Sequence, residues 1–267
     1  MNTRTLATVS LALALLAVPL AAITINFSSY TDTNYFRVIR DDGTPIKNIT
    51  WSSGAGSDGN AGRLDSCQYA DTGYANWLYD VNGYGAGSNV FEEGYCEFDF
   101  NQQTNRIMQA LMFAISPKNA IKIKYRKREG TESHLQIATN ANITTDYDAG
   151  SVNVVDLYTY PAQLVTGTWM KMRLTFGNNV VGSDKYRWVR ATVYDAAVGG
   201  TMRIDRAWTN TIANEYTQPG EVGLGRVTSS APTPEFVATM FDNFGVIPEP
   251  AAGLALLLGV FWLRRTR

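Results

Sequence analysis

The chain has 267 residues, 45% hydrophobic and 18% charged, with a formal net charge of -1, the balance of an ordinary globular protein. A near-neutral chain lacks the dense basic surface that polyphosphate backbones require, which excludes nucleic acid as a partner. With one histidine, His134, there is no material for a His-based triad or a multi-histidine metal site, and no glycine-rich loop leads from a strand into a helix to hold a nucleotide.

At the start, Arg4 precedes an apolar run from Leu6 to Leu20, followed by the small residues Ala21 and Ala22. That is the layout of a secretory signal peptide, so residues 1–22 predict export through the Sec machinery. From residue 23 to 247 apolar positions recur with period two, and turn clusters separate the runs. In "NAIKIKYRKRE", Ile121, Ile123 and Tyr125 alternate with Lys122, Lys124, Arg126 and Arg128. That basic row reads as a solvated strand face or a protected edge. In "TWMKMRLTF", Met170, Met172, Leu174 and Phe176 alternate with Trp169, Lys171 and Arg173. Many strands with one wet face predict an all-β, two-sheet antiparallel sandwich in a single domain, residues 23–247. The stretches "SSGAGSDGNAG" at 52–62 and "DVNGYGAGSN" at 80–89 read as long surface loops. Asp80 and Asn82 in the second suit an Asx turn better than an ion site.

Cys67 and Cys96 are the two cysteines, both in the exported part. An even count in an oxidising compartment predicts a disulfide, on the order of 3 to 4 kcal/mol by chain entropy, and two buried thiols are the alternative. Tyr69, Tyr74, Trp77, Tyr79, Tyr84 and Tyr95 crowd the same region. Aromatic rings with a polar edge suit the C–H face of a sugar, so Trp77, Tyr84, Tyr79 and Tyr74 are the candidate glycan-binding residues, with core filling as the plain alternative.

Four stretches carry a resemblance. "EGYCEFDFN", "VTGTWMKMRLTFG", and the pair "GEVGLGRVTS" and "ATMFDNFGV" are similar to the early, middle and closing strands of concanavalin-like jelly rolls of the laminin-G or laminarinase type. The resemblance implies a jelly-roll sandwich. Laminarinase-like enzymes carry Glu-x-Asp-x-x-Glu on one strand, because retaining hydrolysis needs a nucleophile and an acid/base carboxyl. Glu97 and Asp99 match the first two positions, but Gln102 stands at the third and cannot exchange a catalytic proton. The expectation is therefore a chain that is not an enzyme, with Glu97 and Asp99 as weak catalytic candidates on a solvated strand face. Asp242 falls on the same alternating face as Phe236, Met240 and Phe244. On a core face it must be paired or coordinated. Related jelly rolls use an equivalent Asp to hold a structural calcium ion, so Asp242 is the metal candidate, with a hydrogen-bonded buried Asp as the alternative.

The chain ends in Pro248, Glu249 and Pro250, an apolar run from Ala251 to Leu263, and Arg264, Arg265 and Arg267. These residues closely resemble the PEP-CTERM sorting signal of Gram-negative bacteria. The resemblance implies transient insertion of a short transmembrane helix in the inner membrane, then cleavage by an exosortase, with residues 248–267 as the signal. A plain C-terminal membrane anchor is the alternative. The functional expectation is a cell-surface or extracellular-matrix protein that binds polysaccharide without catalysis. A glycoside hydrolase or lyase, or a purely structural surface protein, are the competing readings.

Overall fold

A computed structural model of the protein describes residues 23–38, 49–67, 74–79, 90–103, 107–116, 119–127, 132–141, 152–162, 164, 167–228 and 237–248. Strands are numbered in chain order. The first sheet runs β13 (Met202–Thr209), β12 (Asp184–Tyr194), β11 (Trp169–Val181), β6 (Gly94–Gln102), β15 (Val237–Pro248), β4 (Gly62–Cys67) and β3 (Ile49–Ser53), with β1 (Ile23–Ile25) also paired to β15. The second runs β10 (Val152–Tyr160), β9 (Ser133–Ala141), β8 (Asn119–Lys127), β7 (Ile107–Ser116), β14 (Glu221–Thr228), β5 (Tyr74–Tyr79) and β2 (Phe36–Val38). All pairings in both sheets are antiparallel, and the pairs β6–β11, β6–β15, β4–β15, β7–β14 and β5–β14 join strands distant in the chain, so the fold is the all-β sandwich that the strand pattern predicts, in the jelly-roll form that the resemblance implies.

The core lies between the sheets, and period two builds it. Along β11 Met170, Met172, Leu174 and Phe176 are buried in strict alternation with half-buried neighbours. Phe98 and Phe100 of β6 meet Phe241 of β15 and Tyr125 of β8, with ring centroids 5.4 Å apart in both cross-strand pairs. Each ring fully withdrawn from water contributes about 1.5–3 kcal/mol. Residues 1–22, where a signal peptide is expected, and 249–267, with Glu249, Pro250, Arg264 and Arg265, lie outside the described residues; Pro248 closes β15, opposite Gly94. Among the described residues no helix is long and apolar enough to cross a membrane.

Several expectations are corrected here. Cys96 is a buried free thiol, not half of a disulfide. Its strand is separated from that of Cys67 by β15, where Cys67 faces Val237 and Cys96 faces Val246. Nine residues along a strand span about 30 Å at ~3.3 Å per residue, whereas a disulfide requires Cα atoms within about 7 Å. Burial pushes the Cys96 thiol up, which keeps it protonated and inert. Tyr79, a glycan candidate, is fully buried and packs against Phe36 and Phe244. Lys122 and Lys124 are buried and engaged rather than solvated.

Candidate functional site

The outer face of the first sheet is where the titratable side chains collect. On β6 Phe98, Phe100 and Gln102 turn to the core, so Tyr95, Glu97, Asp99 and Asn101 turn outward. On β11 the outward set is Trp169, Lys171, Arg173 and Thr175, and the register sets Arg173 against Glu97 and Lys171 against Asp99. On the far side of β11, Tyr194 of β12 lies opposite Lys171. Alternation alone therefore assembles a row of carboxylates facing a row of cations, with aromatics at both ends.

Of the two carboxylates in the row, Glu97 is the one that solvent reaches, its side chain 16% exposed. Arg173 Nε and Nη2 lie 2.7 and 2.6 Å from its Oε2, and Lys171 Nζ donates to Oε1 over 3.1 Å. The Arg173 guanidinium also stacks on Tyr95, 4.4 Å from the ring centre, so the clamp is rigid on that side. Lys171 Nζ is also 3.4 Å from Asp99 Oδ1. The nearest oxygens of the two carboxyls therefore lie no farther apart than the 6.5 Å that 3.1 and 3.4 Å allow. Burial alone would lower the Lys171 pKa, but Asp99 and Glu97 outweigh it and hold the ammonium charged.

Asp99 and Asp242 are hidden by the β3–β4 loop, residues 54–61. Ser57 is the contact: its N–H donates to Asp242 Oδ2 over 2.7 Å and its hydroxyl to Asp99 Oδ2 over 2.7 Å. Asn243 completes the group, its side-chain amide donating to Ser57 Oγ over 2.7 Å and to Asp99 Oδ2 over 3.0 Å. A bulge in β15 makes this possible. Asp242 faces Asp99 and Gly245 faces Glu97, so Asn243 and Phe244 lie against Phe98 alone, and Asn243 takes φ 47°. The left-handed region tolerates Asn better than most residues. The alternation that would put Asp242 on the face of Phe244 is thus broken: Phe244 packs on Phe36 and Tyr79 in the core, while Asp242 points out beneath the loop.

Burial raises both carboxyls. For Asp242 it does so to about 6, opposed by the N–H groups of Ser57 and Asn243 and reinforced by Asp58. For Asp99 burial again dominates, opposed by Ser57, Lys171 and Asn243. Asp99 Oδ1 has no hydrogen bond and relies on the Lys171 ion pair. The donors around Asp242 are N–H and O–H groups. A calcium ion needs six or more oxygen lone pairs in its shell, and among the described residues no three acidic, His or Cys side chains are grouped to hold a metal. These residues do not fit calcium, and hydrogen bonding accounts for Asp242 as it stands.

Sequence reasoning found Glu97, Asp99 and Asp242 but separated them, and it read residues 52–62 as a surface excursion. Lys171, Arg173, Ser57 and Asn243 were missed as site residues. Their signal was available only in part, as the polar half of "TWMKMRLTF". Tyr84 lies outside the described residues, and for Tyr74 and Trp77 only the backbone of β5 is described.

No family model matches the chain, and no curated protein matches it. Solved structures do resemble it at low identity. A Crh5 transglycosylase in complex with NAG shares 13% identity with a TM-score of 0.48, covering 87% of this chain and 86% of that one. The laminarinase catalytic domain from Thermotoga maritima shares 11% at 0.43, covering 80% and 97%. An engineered GH43 glycoside hydrolase shares 14% at 0.46, and there the match covers 80% of this chain but only 40% of that one. The lectin-like defense protein arcelin-5 from Phaseolus vulgaris shares 13% at 0.40, covering 84% and 97%. These likenesses concern the arrangement of strands.

The expectation that the chain is not an enzyme is corrected, because the reasoning behind it fails on this chain's own geometry. Gln102 is buried on the core side of β6, so it does not stand in for a missing acid on the face that carries Glu97.

Proposed function

We propose that the protein is an exported carbohydrate-active β-sandwich of the cell surface or extracellular matrix, cleaving or transferring glycosidic bonds on the outer face of its first sheet. The observation that supports this most is Glu97, a solvent-reaching carboxylate clamped by Arg173 and Lys171 in a row ending in Tyr95 on one side and Trp169 and Tyr194 on the other. Clamping fixes the carboxylate in one orientation, and the rings offer sugar-stacking surfaces at either end.

Glu97 attacks the anomeric carbon as the glycosidic C–O bond breaks, and a carboxyl proton from Asp99 passes to the leaving oxygen. Water or an acceptor hydroxyl, deprotonated by Asp99, then releases the sugar from Glu97. A separation of at most 6.5 Å accommodates the closer spacing of about 5–5.5 Å that retaining enzymes use. While Asp99 is covered, burial favours its protonated form.

Residues 1–22 direct export and Pro248–Pro250 with the tail direct sorting, so the secreted product lacks both ends. Intact mass of the native product tests this, and a tail still present after Pro250 would refute it. The activity is tested by reducing-end release and acceptor labelling on β-glucan, xylan and chitin fragments, with wild type beside Glu97→Gln. Turnover that falls by at least ~10³-fold in Glu97→Gln supports the reading. No cleavage or transfer on any of them by folded protein overturns it.

A further inference from the structure

The loop between β3 and β4 has two properties seldom found together. It is braced within itself: Gly54 N–H donates to Ala61 O and Gly56 N–H to Asn60 O, both over 2.9 Å, and Asn60 is tied to Asp58 by its N–H and its side-chain amide. Yet its hold on the sheet runs mainly through Ser57, which meets Asp242, Asp99 and Asn243. A further attachment, Arg63 Nη1 to Ala55 O at 3.3 Å, comes from the second residue of the adjoining β4, at the base of the loop. Its sequence, Gly-Ala-Gly-Ser-Asp-Gly-Asn-Ala, has no large apolar side chain to bury. Lifting it therefore costs hydrogen bonds and little hydrophobic contact.

We propose that residues 54–61 form a rigid flap, latched by Ser57, that lifts as a unit to uncover Asp99 and Asp242. Shut, it leaves Asp99 1% and Asp242 0% exposed. Gly56 permits that closeness, since a Cβ there would stand 2.2 Å from Asp242 Oδ2. With the flap lifted, Asp99 joins Glu97 at the surface and the row offers two carboxyls instead of one. That consequence rests on the carbohydrate reading above; the flap itself does not.

Closure takes two carboxyls out of water, so the shut form binds their protons more tightly than the open form, in which they are hydrated. The charged groups facing Asp242 and Asp99 are Asp58 on the flap, Glu97 on β6, Lys171 on β11, and Arg63 with Asp65 on β4. Lys171 and Arg63 are already shared with Glu97 and Asp65, and Asp58 adds repulsion. Shutting is therefore favoured below the ordinary carboxylate range, and opening grows as pH rises through about 6, the Asp242 value.

Amide hydrogen exchange of the mature protein, corrected for intrinsic rates, tests this between pH 4 and 7, with the amides of β11 and β12 reporting the global fold. The expected result is local opening of residues 54–60 that rises on the order of 100-fold across that range. Ser57→Ala should lower loop protection at every pH while β11 and β12 stay protected. Asp242→Asn should flatten the pH dependence. Loop protection equal to that of β11 and β12 at both ends of the range, or unchanged by Ser57→Ala, would overturn the flap whether or not any glycan is turned over.

Discussion

Arg187 carries the sharpest stability prediction. It lies on the core side of β12, fully buried. Its guanidinium stacks 4.5 Å from the centre of the Phe113 ring. Nε donates to Tyr216 O over 2.7 Å, Nη1 to Glu92 O over 2.6 Å and Nη2 to Gln218 O over 3.0 Å. One side chain thus ties two loops, around Glu92 and from Tyr216 to Gln218, to the centre of the sandwich. Burial pulls its pKa down to about 10, opposed by Glu92 and Glu93, so it is charged at neutral pH. Arg187→Met keeps the length and removes the donors. Three charge-assisted bonds at about 1.5–3 kcal/mol each give a gross loss of ~5–9 kcal/mol. Relief from desolvating the guanidinium offsets part of it, leaving a net destabilisation of about 3–5 kcal/mol. Urea unfolding followed by tryptophan fluorescence measures this directly. A loss below ~1 kcal/mol at unchanged m-value would mean that the three carbonyls find water without cost and that the clamp is dispensable.

Gly56→Ala forces the flap off Asp242 and should lower Tm by about 3–6 °C, the effect of roughly 1–2 kcal/mol, with an unshifted Tm counting against the close approach. Reduction with dithiothreitol should leave Tm unchanged because Cys96 is an unbridged thiol; a drop of several degrees would restore the disulfide. Asp242, raised from 3.8 to about 6, contributes stability that is fully present below pH 3.8 and lost as pH rises through 6. Relative to Asp242→Asn, wild type should therefore lose on the order of 2–3 kcal/mol between pH 4 and 7, and parallel pH profiles for the two would refute the assignment.

The alternating runs of β8 and β11 were legible in the sequence because period two is a local property: each residue's face follows from its neighbour's. The same locality made Glu97 and Asp99 visible as outward carboxyls. It also set its limit. Alternation from Phe236 to Phe244 could not anticipate the bulge at Asn243, which returns Phe244 to the core and turns Asp242 outward. Nor could spacing show that Cys67 and Cys96 lie at opposite ends of β15, since strand order is decided by which edges pair across the whole chain. Tyr79 and Lys122 look like surface residues by type and are buried by their place in the second sheet. By itself the sequence determined an all-β chain with an outward row of charge on β6 and β11. Only the tertiary structure decided that a glycine-rich loop 42 positions upstream, through Ser57, would fold onto Asp99 and bury it, because closing that loop depends on a partner from β15 that no local pattern encodes.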